Sequence, residues 1–120
     1  MGLDLYFHRV KRKEIGYFRK VNFLVAFFEK RGYSRNDSGD WIVELDDAKD
    51  LLRICNEVLE DHSKAEELLP TTGGFFFGDT DYDEIYFNDV EEVKEFCENT
   101  LIPQLENLGE DSTIEFYTSW

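Results

Sequence analysis

From Leu3 to His8 the chain alternates, with Leu3, Leu5 and Phe7 in one phase and Asp4, Tyr6 and His8 in the other. That two-residue period predicts a strand over Met1 to Val10 with one face on a core. The basic run Lys11-Arg12-Lys13 ends it. Over Glu14 to Arg31 the apolar residues Ile15, Phe18, Val21, Leu24, Val25 and Phe28 instead recur at steps of three and four. This spacing predicts a helix, widened on its apolar side by Phe23 and Phe27 and stopped by Gly32.

The turn cluster Asn36-Asp37-Ser38-Gly39-Asp40 leads into Trp41-Ile42-Val43-Glu44-Leu45, which is rich in strand formers. Asp46 is placed to cap a following helix whose face is Leu51, Cys55, Val58 and Leu59, with Leu52 and Ile54 beside it. A shorter helical stretch from Ser63 to Leu69 closes at Pro70, because the residue before proline is pushed out of the α region. After the break Thr71-Thr72-Gly73-Gly74 come Phe75-Phe76-Phe77-Gly78 and an acidic, tyrosine-bearing stretch to Phe87. Asn88 or Asp89 then caps a long helix carrying Val90, Val93, Phe96, Cys97, Leu101, Leu105 and Leu108, and Pro103 should kink or split it near Leu101. Alternation returns at Thr113 to Trp120, a last strand with Ile114, Phe116 and Thr118 in one phase and Glu115 and Tyr117 in the other.

The elements run β-α-β-α-α-loop-α-β. They make an α+β fold, with a small sheet of N-terminal, middle and C-terminal strands packed against about three helices. No linker or internal repeat divides the chain, so residues 1–120 are expected to form one domain.

Composition agrees that this chain folds, since 42% of residues are hydrophobic and 16% aromatic, far more than a disordered acidic chain carries. Charge adds a second fact. The net value is −14, yet Met1 to Arg35 holds nine Lys or Arg against three acids, a net of +6, and the remainder holds four against twenty-four, a net of −20. A field this negative repels nucleic acid and anionic lipid, so nucleic acid is disfavoured as a partner and a basic protein surface is favoured. The basic segment around Arg9, Lys11, Arg12, Lys13, Arg19 and Lys20 either neutralises the chain's own acids or meets a partner or a second copy, which leaves a monomer and a homo-oligomer both open. Cys55 and Cys97 each lie within an apolar helical pattern and read as core thiols. With no signal-like apolar run in residues 1–10 and no stretch long enough for a membrane span, the cytoplasm is the expected compartment.

Little of the usual chemistry is legible. Asp79-Thr80-Asp81-Tyr82-Asp83 has the alternating carboxylates of a calcium loop, but Glu84 stands where that loop needs glycine and Val90 where it needs a bidentate glutamate. A looser divalent-cation site from Asp79, Asp81, Asp83 and Glu84 is the metal candidate. Phe75 to Asp81 also has the look of an apolar strand ending in D-x-D, as in some phosphoryl-transfer enzymes, but Lys94 is the only base after Gly73. His8 and His62 show no partner, and no nucleophile-base pair, Walker loop, dinucleotide fingerprint or C-x-x-C is present. No catalytic residue is assigned. Tyr82, Tyr86, Tyr117 and Trp120 fall in polar stretches, and because Tyr and Trp favour interfaces they form, with Asp83 and Glu84, the candidate interaction surface.

Glu66-Glu67-Leu68-Leu69-Pro70-Thr71, Gly74-Phe75-Phe76-Phe77-Gly78, Tyr82-Asp83-Glu84 and Tyr86-Phe87 make a distinctive run. With the start Met1-Gly2-Leu3-Asp4, the segment Arg19-Lys20-Val21-Asn22 and the ending Ser119-Trp120, it resembles a family of small uncharacterised bacteriophage, prophage and bacterial proteins. The resemblance implies a phage-type accessory protein acting in the bacterial cytoplasm and carries over no catalytic residue. The reading that joins these strands is a non-catalytic protein-interaction module. The alternatives are a small metal-dependent protein or enzyme using residues 79–84, and a self-associating structural protein.

Overall fold

The structure is a computed structural model that describes residues 3–9, 13–34, 40–73 and 80–119. It is α+β, built on a four-stranded antiparallel sheet in the order β2-β1-β4-β3. Strand β1, Asp4–Arg9, lies between its hairpin partner β2, Lys13–Arg19, and β4, Ile114–Ser119. Leu3, Leu5 and Phe7 are fully buried, as the alternation requires.

Strand β2 corrects the expected helix over Glu14 to Arg31, and the order opens β-β-α rather than β-α. The physical reason is a bulge. Residues pair Tyr6↔Tyr17 and Phe7↔Gly16, then skip to His8↔Glu14, which leaves Ile15 as an extra residue. The bulge shifts the strand's phase by one, so Ile15 packs on the core as Phe18 does although the two are three apart. A strand with one bulge thus imitates helical spacing. Lys20, at φ 59°, then turns the chain and donates its N–H to the Leu3 carbonyl at 2.7 Å.

Helix α1, Asn22–Arg31, occupies the second half of the expected helix and buries Phe23, Leu24, Val25, Phe27 and Phe28. Gly32, at φ 125°, stops it as expected. Strand β3 is only Trp41–Ile42, shorter than the expected Trp41 to Leu45, although the Val43 N–H still reaches the Ile114 carbonyl at 2.8 Å. Helix α2, Leu45–Glu60, is capped by Glu44 rather than Asp46, because Glu44 and Asp47 each bond the other's backbone N–H in a reciprocal box. Asp47 is buried and also accepts from Trp41 Nε1 at 3.0 Å and from Arg31, whose other arm holds Asp50 at 2.9 Å. This one carboxylate ties α1, β3 and α2 together. A single 3₁₀ turn, His62–Lys64, leads into α3, Ala65–Leu68, which ends ahead of Pro70.

Helix α4 is Glu84–Phe96 and starts earlier than Asn88 or Asp89. Its cap is Asp83, whose side chain accepts from the Tyr86 N–H at 3.1 Å. The split foreseen at Pro103 takes the form of a π turn, Cys97–Leu101, before α5, Ile102–Glu106. The Ile102 N–H reaches back five residues to the Cys97 carbonyl, and the wider turn lets Cys97 and Leu101 both stay buried ahead of the proline.

The described helices bury their apolar sides on the inner face of the sheet. Phe28 stacks on Phe116 at 4.3 Å, and Phe7 meets Phe96 at 4.9 Å. Phe96 also meets Phe18 edge-on at 5.3 Å and leaves no room above Gly16, where a Cβ would stand 2.5 Å from the ring. Each fully buried Phe contributes about 1.5–3 kcal/mol, so this aromatic block is a principal source of stability.

Candidate functional site

The described residues of the expected interaction surface divide between two places. Tyr82, Asp83, Glu84 and Tyr86 gather at the start of α4, Tyr117 lies on the outer face of the sheet, and Trp120 lies outside the described residues. Of the metal candidates, Asp81, Asp83 and Glu84 are exposed and Asp79 lies outside the described residues. Asp83 is engaged in capping, and among the described residues no group of three or more His, Cys, Asp or Glu converges as metal ligands do.

Tyr86 is a core residue. Its ring packs on Phe23 at 5.4 Å, its hydroxyl donates to the Leu69 carbonyl at 2.7 Å, and burial pushes its pKa far above the usual phenol range. It thereby fastens the α3 end to α4. Tyr82 is half-buried at right angles to Tyr86, 5.0 Å away, and its hydroxyl accepts from the Thr71 N–H at 3.2 Å. The motif residues Leu69, Thr71, Tyr82 and Tyr86 thus join into one brace. Around it the buried Asn22 accepts from the Thr72 N–H at 3.1 Å, which ties the same segment to the start of α1.

Beside the brace lies a cleft of about 390 Å³ between the β2–α1 corner and the first turns of α4. Arg19 and Lys20 stand on one wall, Asp81, Asp83 and Asp89 on the other, and Phe23, Ile85 and Tyr86 supply apolar surface. Asp89 is half-buried; burial, aided by Glu92 and Asp83, pushes its carboxyl up to about 6. Ile85 is the notable side chain, because it is 67% exposed on the first turn of a helix whose neighbours are acidic. A second hollow of about 530 Å³ lies across Asp83 and Glu84, floored by Phe87, on which the His62 ring stacks at 3.7 Å.

Among the described residues the cleft brings together an exposed apolar side chain, three carboxylates and two bases, a surface suited to binding. Cys97 is held protonated by burial, which pushes it up to about 12, and Cys55 is raised further for the same reason, so neither is a thiolate at neutral pH. His62 is committed to its stack with Phe87, and the side chain of His8 is outside the described residues.

Sequence reasoning missed Ile85, and it named Arg19 and Lys20 as part of a basic segment but not as one wall of a cleft facing Asp81, Asp83 and Asp89. A helix starting at Asn88 hides an Ile two residues after a capping Asp, and a helix through Arg19 hides a corner. The Asp83-Glu84 pair ahead of Tyr86 was the available signal for the earlier start. Comparison of the chain with protein-family models, with curated proteins and with solved structures gives no match.

Proposed function

We propose that this chain is a non-catalytic binding module that docks a basic segment of another protein on the acidic entrance of α4. The observation that carries the reading is Ile85, an apolar anchor 67% exposed and neighboured by Asp81, Asp83, Glu84 and Asp89. A basic segment with one apolar residue matches that surface in both respects: burying an aliphatic side chain supplies affinity, and opposite charge supplies approach and register. The net of −20 after Arg35 supports the same polarity of partner and speeds encounter at low salt. The phage or prophage setting and the bacterial cytoplasm, implied by the sequence resemblance, make the partner a host or phage protein. No described helix is long and apolar enough to cross a membrane.

The test is capture from bacterial lysate at low and high salt, with Ile85→Ser and Glu84→Lys variants beside the unaltered chain. A partner retained by the unaltered chain at low salt, released by salt and lost in both variants is the expected result. It is then reproduced with a purified basic peptide from that partner. Capture that ignores salt, or that persists through Ile85→Ser, refutes the assignment of this surface.

A further inference from the structure

The second exposed surface is the outer face of the sheet. The pairings Tyr6↔Tyr17 and Tyr6↔Tyr117 set three tyrosines in one row across β2, β1 and β4. Tyr6 and Tyr117 stack at 5.1 Å with planes 16° apart, and Tyr6 meets Tyr17 at 5.3 Å. The ladder is held at one end by the Tyr17 hydroxyl, which donates to Asp4 at 2.8 Å. Among the described residues, two of the three exposed large apolar side chains, Tyr17 at 47% and Ile42 at 51%, are on this face, while the described helices bury their apolar sides on the other.

Charged residues flank the row on both sides. Two residues from Tyr6 in one direction, the register places Asp4 between Arg19 and Ser119; two residues in the other, His8 between Glu14 and Glu115. A half-turn about an axis along the row therefore lays the first line of one copy over the second line of another, with Arg19 opposite Glu14 in both directions. Antiparallel sheets that pack face to face keep their strands within about 30°, which this arrangement permits. It also places the two acidic helical layers on the outside, away from each other.

We propose that two copies of the chain associate face to face through the tyrosine row, about a two-fold axis running along it, with Arg19 of each over Glu14 of the other. Three strands about 4.8 Å apart and six residues long, plus the short β3, give a flat footprint of roughly 300–400 Å² per copy. That is below the usual size of a stable interface, so a dimer with a dissociation constant on the order of 10–100 µM is expected. Rigid stacked tyrosines lose little side-chain freedom on contact, which favours association through so small an area.

The experiment is sedimentation of the full chain from about 1 µM to about 1 mM, a range that brackets such a constant. The expected result is a shift from monomer to dimer across the series, abolished by Tyr17→Ser and by Ile42→Ser. Arg19→Glu weakens it at least tenfold, and Arg19→Glu combined with Glu14→Arg restores it. A chain that stays monomeric throughout overturns the proposal, as does a dimer indifferent to Tyr17→Ser. A double charge exchange that stays as weak as Arg19→Glu overturns the two-fold register. Circular dichroism melts accompany each variant; should Tyr17→Ser fail to fold, Ile42→Ser on another strand and the charge exchange at exposed positions decide the matter alone.

Discussion

Asp89 is half-buried on the cleft side of α4, with Glu92 and Asp83 as its charged neighbours, and its proton is held to about pH 6 against an ordinary carboxylate value of 3.8. A raised acid works against the fold as pH rises. Below about pH 4 both folded and unfolded chains carry the proton and Asp89 is neutral in its effect. Between there and about pH 6 the unfolded chain ionises first, so stability falls, and above that the deficit is constant. Asp89→Asn should therefore leave stability at pH 4 unchanged and raise it at pH 7. Allowing for the solvent-facing side of the group, the gain is on the order of 1 kcal/mol. Denaturant melts at pH 4, 5.5 and 7 measure it, and an Asn variant that is less stable at pH 7 refutes the account. Single residues also show what the sequence made legible at the site. The cluster Tyr82, Asp83, Glu84 and Tyr86 was visible as a group, because aromatics interleaved with acids stand out from core stripes. Its division of labour was not, because an exposed Tyr and a Tyr whose hydroxyl meets a carbonyl at the end of the preceding helix read the same in one dimension.

Among the elements, β2 is the instructive case. A bulge opposite Phe7 brings Ile15, Gly16 and Phe18 to the inner face, and at Gly16 the Phe96 ring fills the space where a side chain would begin. The Phe96 ring is itself wedged between Phe7 and Phe18, so it cannot simply swing away. Gly16→Ala should thus cost about 1–3 kcal/mol, with the loss visible as a lower melting temperature and an unchanged far-ultraviolet spectrum. A neutral Gly16→Ala would mean that the hairpin does not press on α4 as described. Strand β1, α2 and β4 were legible because each keeps one period from end to end. The hairpin was not, since its period is interrupted where the bulge falls. Helix starts were misplaced at both α2 and α4 for a related reason: acidic residues are so frequent ahead of each helix that several positions can serve as a cap, and only tertiary contact selects among them. At α2 the choice follows Asp47, which Trp41 and Arg31 hold from outside the helix.

For the whole molecule, the uneven charge of the chain becomes an uneven solid, with the basic hairpin at one edge of the sheet and most acids on the helical layer. Like charges crowded on α2 and α4 oppose compaction, and the exposed or half-exposed ion pairs, such as Arg53–Glu57 at 3.1 Å and Lys94–Glu98 at 3.1 Å, offset little of it. Raising salt from about 0.01 to 0.5 M shortens the screening length several-fold and should raise the melting temperature by several degrees. A fall with salt would show instead that attraction between hairpin and helices dominates.

The strand order has a consequence for how the chain is made. Strand β1 is interior to the sheet, but its second neighbour, β4, pairs Asp4 with Ser119. During synthesis at about 5–20 residues per second, the hairpin leaves the ribosome roughly 5 to 20 seconds before the strand that completes the sheet exists. For that interval Phe7 and Phe18 have no Phe116 to close over them, and one edge of β1 is an open template for any extended segment nearby. A newborn chain is therefore expected to need chaperones until β4 emerges, and slowing translation late in the message should lower its soluble yield more than slowing it early.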